Sequence, residues 1–569
     1  MTLRALADHH GISTCYDDRH VPDATLRLIL EGLGIDPNGP KRGPRAAKQM
    51  PSLSVRAPRP ARGWGIFCQL YELRSRRNWG IGDFADLARL AELCGAEGAD
   101  FIGVNPLHAL FLSAPDRCSP FSPSNRRFLN PLYIAPDLLG LDRPDIEDGD
   151  LVNYKAVTET KLTALRSVFD QSEENAAFAL FVETQGEPLR LHALFEVISA
   201  LHGGTGWTAW PENYRQPDGK AVAAIARLHS DDIRFYEWLQ WIAREQLSAA
   251  QRAAVEADMR IGLYLDLAVG EAQDGSATWS GTAAALPNLD VGAPPDMFSE
   301  EGQNWHLAAP SPTAMAEEEF ANYRAMISAQ LRDAGALRID HAMALWQLFL
   351  IPSGRPASEG AHLRYPMADL LRVLTEEANA ADAVLIGEDL GFVPEGFREV
   401  MDAANVLSYR IVYFEQDQKG FYAPDAYPST AFACLSTHDL PVLAAWWRGD
   451  DIDLREANGL VSKEASIKHR AHRKSEKESL IQAIKIKVDP AAPVLPDAVL
   501  TGTYSFVSKT NSILAGVRLA DLTGPETPTN LPGVGDEHPN WRPRSPLDIE
   551  EIARHPSFVR VIAKMRQNR

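Results

Sequence analysis

Three acidic residues in this chain each follow a short apolar run of the kind that forms a buried strand. The runs are ALRIDHA, VLIGEDLG and CLSTHDL, and the acids are Asp340, Glu388 and Asp439. The intervals between the acids are 48 and 51 residues, each about the length of one strand, one helix and their connections. Three successive β/α units of a parallel barrel would therefore place all three carboxyl groups at the end where the strands finish.

Each acid, taken alone, also fits an ordinary helix N-cap, because a side-chain oxygen there accepts a hydrogen bond from the first-turn amides. The neighbouring residues favour a functional site. Arg338 precedes Asp340 by two positions, so both side chains share one face of an extended strand, and a guanidinium favours a charged carboxylate. His341 and His438 flank the first and third acids, and imidazole nitrogens can hydrogen-bond hydroxyl groups.

Eight apolar segments can serve as the strands of such a barrel. In chain order they are GWGIFCQLYEL (63–73), FIGVNPL (101–107), MRIGLYLDLAV (259–269), ALRIDHA, VLIGED, SYRIVYF (408–414), FACLSTHD and a weaker GVRLADL (516–522). We therefore predict an α/β fold, a (β/α)8 TIM barrel spanning residues 63–569. The chain between the second and third strands far exceeds an ordinary βα loop, and its patterns, such as DIRFYEWLQWIAREQL, are helical. We predict a mainly helical inserted subdomain at about 135–258.

Residues 1–62 are predicted to form a small helical extension and a linker before the barrel. Apolar residues recur at helical spacing in DATLRLILEGLGI, and Gly34 could end that helix. The segment from about 36 to 62 is rich in proline, glycine and arginine. It could be a tether, or its positive charge could hold it against the body of an acidic protein.

Composition excludes several classes of partner. A net charge of −19 and a pI near 5.3 argue against nucleic acid or an anionic membrane as partner, since both need clustered positive charge. The five cysteines are scattered without a CxxC pair, which indicates reduced thiols. With no apolar signal region or span of about 20 apolar residues, we expect a soluble, cytoplasmic protein. Phosphate-loop, zinc and calcium patterns are also missing, so we expect no cofactor and no metal.

Longer stretches of the sequence resemble one known family. Beside the three acidic segments, the likeness lies in NWGIGDFADL (78–87), SPFSPSNRRFLNPLYI (119–134), LYLDLAVG (263–270), DVGAPPDMFSEEGQNW (290–305) and HPNWR (538–542). These segments resemble the 4-α-glucanotransferases called amylomaltases or disproportionating enzymes, glycoside hydrolase family 77. The likeness covers nearly the whole chain and is strongest to the longer bacterial type with an N-terminal extension.

The resemblance implies a retaining double displacement on α-1,4-glucans. Asp340 would be the nucleophile and Glu388 the acid/base, while Asp439 would stabilise the transition state. Donors would be maltooligosaccharides, amylose and the outer chains of glycogen, and glucose could serve as an acceptor. By the same analogy, Asp266 in LYLDLAV would order the site near Arg338.

Further substrate-binding residues follow from the resemblance. His341 and His438 would contact sugar hydroxyls, although His341 equally fits a buried structural histidine. Asn130 and Tyr133 in NPLYI are also candidate site residues. Where many family members have a tyrosine in the SPF segment, this chain has Phe121, which can stack on a sugar but cannot hydrogen-bond it.

The 290–305 segment resembles a loop that overhangs the substrate cleft in the family. Its candidate substrate-binding residues are Asp296, Phe298 and Trp305. Two consecutive prolines can also simply stiffen a surface loop, and aromatic residues are common in protein cores.

Three functions remain open at this stage. The first is a cytoplasmic 4-α-glucanotransferase, which the family likeness favours. The second is a maltodextrin hydrolase of the same clan, with water as the acceptor; the barrel and its acids alone do not exclude it. The third is a non-catalytic glycogen-binding protein on a barrel scaffold, and the joint presence of Asp340, Glu388, Asp439 and Arg338 argues against it.

Overall fold

A closed barrel of eight parallel strands forms the centre of the molecule. A computed structural model describes residues 2–16, 19–39, 55–146, 148–173, 175–295, 301–535 and 537–569. The strands pair in sequence order, and the last pairs with the first. Their bounds are β1 (Gly63–Phe67), β2 (Phe101–Gly103), β3 (Gly262–Leu267), β4 (Ala336–Ile339), β5 (Val384–Gly387), β6 (Leu407–Ile411), β7 (Ala431–Cys434) and β8 (Leu514–Arg518). The predicted fold class is confirmed, and each predicted apolar segment contributes a strand.

The three acids do not follow three successive strands, so the interpretation of their spacing was wrong, whereas the predicted strand SYRIVYF does lie between the second and third acids. Asp340 follows β4, Glu388 follows β5 and Asp439 follows β7, with β6 lying inside the second interval. Two units fit there because the helix after β5 is short, Phe397–Ala403, and 3-10 turns and a small hairpin follow β6. The three acids still follow the carboxyl ends of their strands, as all strands of the barrel are parallel.

Aromatic rings fill the interior of the barrel. Phe432 of β7 packs against Phe101, Tyr264 and Tyr409, with ring centroids 5.0–5.9 Å apart. Gly516 provides the room, since a Cβ at this position would collide with the ring of Phe432. The interior of the barrel at this level is therefore a packed core.

Helices surround the barrel and build the segment between β2 and β3. That segment contains Tyr154–Gln171, Ala176–Leu201, Lys220–Leu228 and Ser230–Glu256. The other helices of eight or more residues are Asp23–Gly32, Phe84–Ala96, Ala321–Leu331, Met367–Ala380, Asp450–Ala457, Lys463–Ala483, Asp497–Lys509 and Pro556–Asn568. Shorter ones are Leu3–His9, Ser276–Trp279, Pro312–Glu317, Phe397–Ala403, Leu443–Arg448, Leu519–Thr523 and Ile549–Ile552. The division of the chain into domains stays a prediction.

A second, antiparallel sheet of four strands was not predicted from the sequence. In spatial order its strands are Ala361–Arg364, Gln347–Pro352, Ala285–Ala293 and Gln303–Pro310. The predicted 290–305 loop is thus the end of a hairpin, because residues 290–293 and 303–305 belong to strands. Its tip, with Asp296 and Phe298, lies outside the described residues.

The N-terminal segment docks on this second sheet. The backbone N–H of Ser13 donates to the carbonyl of His362 at 2.8 Å, and the His362 N–H donates to Ser13 Oγ at 2.9 Å. Tyr16 donates its hydroxyl to the carbonyl of Ser358 at 2.7 Å. Part of the linker also lies on the body, since Ala57 is buried and its N–H donates to the carbonyl of Ala404.

Candidate active site

Arg338 joins two carboxylates at the carboxyl end of the barrel. It pairs in register with Asp266 of the neighbouring strand β3, so the two side chains face the same way. Nη1 of Arg338 donates to both oxygens of Asp266 at 2.7 and 2.8 Å, and Nη2 lies 2.9 Å from Oδ1 of Asp340. Because each contact is charge-assisted, the guanidinium holds the Asp340 carboxylate in one orientation.

Glu388 lies almost fully buried beside this group. One oxygen accepts the backbone N–H of His341 at 2.9 Å, and the other accepts the N–H of Leu390 at 2.7 Å. Burial, with the charge of Asp340 adding to it, raises the pKa of Glu388 to about 7, against the opposing effects of Arg338 and the two N–H donors. Glu388 can therefore hold a proton near neutral pH and release it readily, as a general acid/base must.

Asp439 has a different environment and stays ionised. Asn530 donates Nδ2–H to its Oδ1 at 2.6 Å, and Nε2 of His438 lies 3.2 Å from its Oδ2. Burial would raise the pKa of Asp439, but His438 and Asn530, together with the charge of Arg338, bring it down to about 2. The side chain of Asp439 is 42% exposed, so a sugar hydroxyl can reach it.

An aromatic stack holds the ring of His438. Phe121 stacks on it with centroids 4.5 Å apart, and Trp541 packs against both rings at 5.4 and 5.6 Å. The structure thus places Phe121 beside Asp439, where its ring orients His438 by packing and without a hydrogen bond.

His341 and Trp305 form a second aromatic contact at the first acid. Their centroids are 5.2 Å apart in an edge-to-face arrangement. Burial lowers the pKa of His341 to about 4, although the charge of Asp340 opposes this. His341 is therefore neutral near pH 7, and the hairpin that carries Trp305 reaches the edge of the site.

Asn130 and Tyr133 make their hydrogen bonds within the protein. Oδ1 of Asn130 accepts the N–H of Leu132 and begins a single 3-10 turn, and the Tyr133 hydroxyl accepts from Nδ2 of Asn105 at 3.1 Å. Both side chains are buried, with 1% and 3% exposure. Here they support the segment after β2, and a direct contact of either with sugar stays a prediction.

A cavity beside Arg338 and His438 is lined in part by residues that sequence reasoning did not single out. Its lining includes Asp266, Arg338 and His438, together with the unpredicted Gln69, Glu72, Asn105, Arg518 and Thr529. Burial raises the pKa of Glu72 to about 7 despite opposing hydrogen bonding and the charge of Arg518. The rule that identified the acids, a polar residue at the end of a strand, would also have identified Arg518.

Comparisons with known proteins agree with this geometry. A family model described as 4-alpha-glucanotransferase matches residues 68–548. The chain is 34% identical to the 4-alpha-glucanotransferase of Haemophilus influenzae, covering 88% of this chain and 77% of that protein. It is 36% identical to the 4-alpha-glucanotransferase of Mycobacterium tuberculosis, with 84% and 71% covered.

Solved structures show the same architecture. The amylomaltase from Corynebacterium glutamicum matches with a TM-score of 0.85 at 25% identity, covering 99% of both chains. An amylomaltase from Streptococcus agalactiae in complex with acarbose matches with a TM-score of 0.73 at 19% identity, covering 88% of this chain and 98% of that one. At that identity the second match supports the fold only.

Proposed function

Because this chain belongs to the 4-alpha-glucanotransferase family, glycoside hydrolase family 77, we propose that its own acids transfer α-1,4-glucan segments by a retaining double displacement. The observation that carries the proposal is the group at the ends of β4 and β5. There Asp340 is held by Arg338, next to a buried Glu388 whose pKa is about 7. One carboxylate is thus oriented for attack while its neighbour can carry a proton, which is the division of labour that a retaining enzyme needs.

In the first half of the reaction, Asp340 attacks the anomeric carbon of the donor. The bond from that carbon to the glycosidic oxygen breaks, and protonated Glu388 gives its proton to the departing oxygen. The product is a covalent glucosyl ester on Asp340 and a shortened glucan with a free 4-hydroxyl. Arg338, bonded to the other side of the same carboxylate, would favour departure of Asp340 in the second half.

The second half reverses the roles. Glu388, now ionised, takes the proton from the 4-hydroxyl of an acceptor sugar, whose oxygen attacks the anomeric carbon and releases Asp340. A pKa near 7 serves both halves, since donation and acceptance are then nearly balanced at neutral pH.

Asp439 is proposed to bind the hydroxyls of the sugar being transferred. Its pKa of about 2 keeps it an acceptor throughout the cycle, and its side chain is exposed enough for a sugar hydroxyl to reach it. Bonds to hydroxyls that strengthen as the ring flattens would stabilise the transition state. His438, held by Phe121, would supply a further donor at this position.

The substrates are α-glucans, and we propose maltooligosaccharides, amylose and glycogen outer chains as donors, with glucose among the acceptors. A neutral glucan needs no steering charge, which agrees with a net charge of −19, and the same charge disfavours nucleic acid. Across the described ranges every helix is too short or too polar to traverse a lipid bilayer. A cytoplasmic location is also proposed, because the five cysteines are scattered along the chain without a CxxC pair, as expected for thiols in a reducing compartment.

Product analysis with maltotriose tests the function. We expect glucose and maltooligosaccharides longer than the substrate, while the number of reducing ends stays nearly constant. Asp340→Asn, which keeps the shape of the side chain, is the matched control and should form no products. Rising reducing ends without any longer product would instead indicate hydrolysis and contradict the transferase assignment.

A further inference from the structure

Arg518, the last residue of β8, is bonded to the loop that carries His438 and Asp439. Its Nη1 donates to the carbonyl of Thr437 at 2.6 Å and to the carbonyl of Leu440 at 2.8 Å. These two carbonyls lie immediately before and after the His438–Asp439 pair. The guanidinium therefore fixes the loop on both sides of the third acid.

The same side chain also reaches the segment that supports Asp439 from the other direction. Nη2 of Arg518 lies 3.3 Å from Oγ1 of Thr529. The next residue, Asn530, donates to Oδ1 of Asp439 at 2.6 Å. Two segments far apart in sequence thus meet at the Asp439 carboxylate, and Arg518 bonds to both of them.

Arg518 carries its charge in a buried position. The residue is only 5% exposed, and its hydrogen bonds go to carbonyl and hydroxyl oxygens. A buried guanidinium is unfavourable unless several acceptors are arranged around it. Its planar fork offers donors in fixed directions, so it holds carbonyls of two different segments in one geometry.

We propose that Arg518 is a positioning residue for Asp439. It sets the loop at 436–440 and the segment at 529–530 so that the Asp439 carboxylate faces the hydroxyls of the sugar being transferred. The inference rests on the proposed role of Asp439 in binding that sugar. It assigns Arg518 no contact with the substrate.

The first test compares Arg518→Met with a matched control, Arg244→Met. Arg244 is also a buried arginine that donates to a backbone carbonyl, that of Ala329, but its other partner, Asp333, precedes β4 at the opposite end of the barrel. With α-glucosyl fluoride as donor, Arg518→Met should lower kcat about 100-fold, because small displacements of catalytic groups have effects of that size. KM should change much less, and Arg244→Met should leave both constants near wild type.

A double-mutant cycle with Asp439→Asn separates positioning from a general effect on folding. If Arg518 acts through Asp439, replacing Arg518 should change kcat less than about threefold once Asp439 is already asparagine. A loss that is equally large in both backgrounds would overturn the proposal. So would wild-type kcat in a folded Arg518→Met protein.

Two further variants test the positioning role of Arg518 if Arg518→Met does not fold. Arg518→Lys keeps the charge but loses the fork, and Thr529→Val removes one acceptor without touching the arginine. Each should lower kcat about 3- to 10-fold, and this loss should again vanish beside Asp439→Asn. Unchanged kcat in both variants would overturn the proposal.

Failure of this inference and failure of the transferase assignment give different results. Longer products from wild-type enzyme and maltotriose test the assignment alone. The double-mutant cycle measures only the consumption of the donor. If the losses of kcat from the Arg518 and Asp439 replacements were additive, Arg518 would have no positioning role, but the transferase assignment would be unaffected.

Discussion

The backbone N–H of His341 donates to Oε2 of Glu388 at 2.9 Å, so the residue that follows the proposed nucleophile also holds the proposed acid/base. His341 adopts a left-handed conformation with φ 45°, which is uncommon for a residue with a side chain. That turn directs its N–H towards β5. The positions of Asp340 and Glu388 are therefore set by one short segment at the end of β4.

This coupling leads us to expect a fixed distance between the two carboxyl groups. They should lie roughly 5–5.5 Å apart, the spacing of a retaining enzyme. A crystal structure with an unreactive substrate analogue would measure it. A gap of about 6.5–9.5 Å would instead leave room for a water molecule and indicate inversion.

The two acids should respond differently to replacement by amides. Asp340→Asn should lose transfer by several orders of magnitude, because an amide cannot form the ester intermediate. Glu388→Gln should fail on maltotriose but act on α-glucosyl fluoride, whose leaving group needs no proton, and azide should accelerate its turnover. If Glu388→Gln is equally inactive on both donors, with or without azide, Glu388 is not the acid/base.

The pH profile should report the proton on Glu388. Since the first step requires the protonated acid and its pKa is about 7, kcat/KM for maltotriose should fall as pH rises above about 7, approaching tenfold per unit. With α-glucosyl fluoride this alkaline decline should be absent, because fluoride departs without a proton. Rates measured from pH 5 to 9 on both donors provide the comparison; identical declines would assign the group to another residue.

The hairpin tip should control the choice between sugar and water. If it covers the cleft, it holds an acceptor over the intermediate, and a well-oriented hydroxyl outcompetes water at about 55 M because effective molarities can be far higher. Deleting Pro294 to Phe298 should raise the ratio of hydrolysis to transfer. Alanines at Pro294 and Pro295 keep the length and serve as the control, with a smaller rise expected. An unchanged ratio in the deletion would remove the tip from this role.

Glu196, in the helical segment between β2 and β3, should make stability depend on pH. Burial raises its pKa to about 8, partly opposed by the backbone N–H of Leu112. Between about pH 4.5 and 8 the folded protein keeps this proton and the unfolded chain releases it, so the free energy of unfolding falls by up to about 1.4 kcal/mol per pH unit. Glu196→Gln should remove this dependence of the unfolding free energy on pH. The Tm of the variant should therefore exceed that of wild type by more at pH 8 than at pH 5.5. The exposed Glu159→Gln is the control; equal gains at both pH values would contradict the assignment.

Most of the barrel strands were predictable because they are compact apolar runs buried on both faces. β4 and β5, for example, are ALRI and VLIG, and every residue in them is buried. The spacing of the acids gave the wrong number of strands, because an interval of about 50 residues can hold either one long β/α unit or two short ones. Only the segment LSYRI, in which Leu407, Tyr409 and Ile411 are buried, shows that β6 intervenes before Asp439.

The second sheet and the support of Asp439 were harder to predict for different reasons. In Ala285–Ala293 the pairing register shifts twice, so inward and outward residues do not alternate along the strand. Asn530 and Arg518 act through contacts with a loop about 80 to 90 residues earlier in the chain, a range at which local sequence pattern carries no information. The strand-end rule points to Arg518 but not to its partners.

Barrel closure has a consequence for how the protein is made. Gly63 of β1 is in register with Leu514 of β8, so the two edges that seal the barrel come from opposite ends of the chain. While the chain is still on the ribosome, β1 can pair with β2, but its other edge waits for almost the whole polypeptide. An unpaired strand edge is a template for wrong association. Nascent chains therefore pass through a long stage in which this edge of β1 is unpaired. Chaperone binding, or slow translation near the end of the mRNA, would then determine what fraction of the protein closes its barrel.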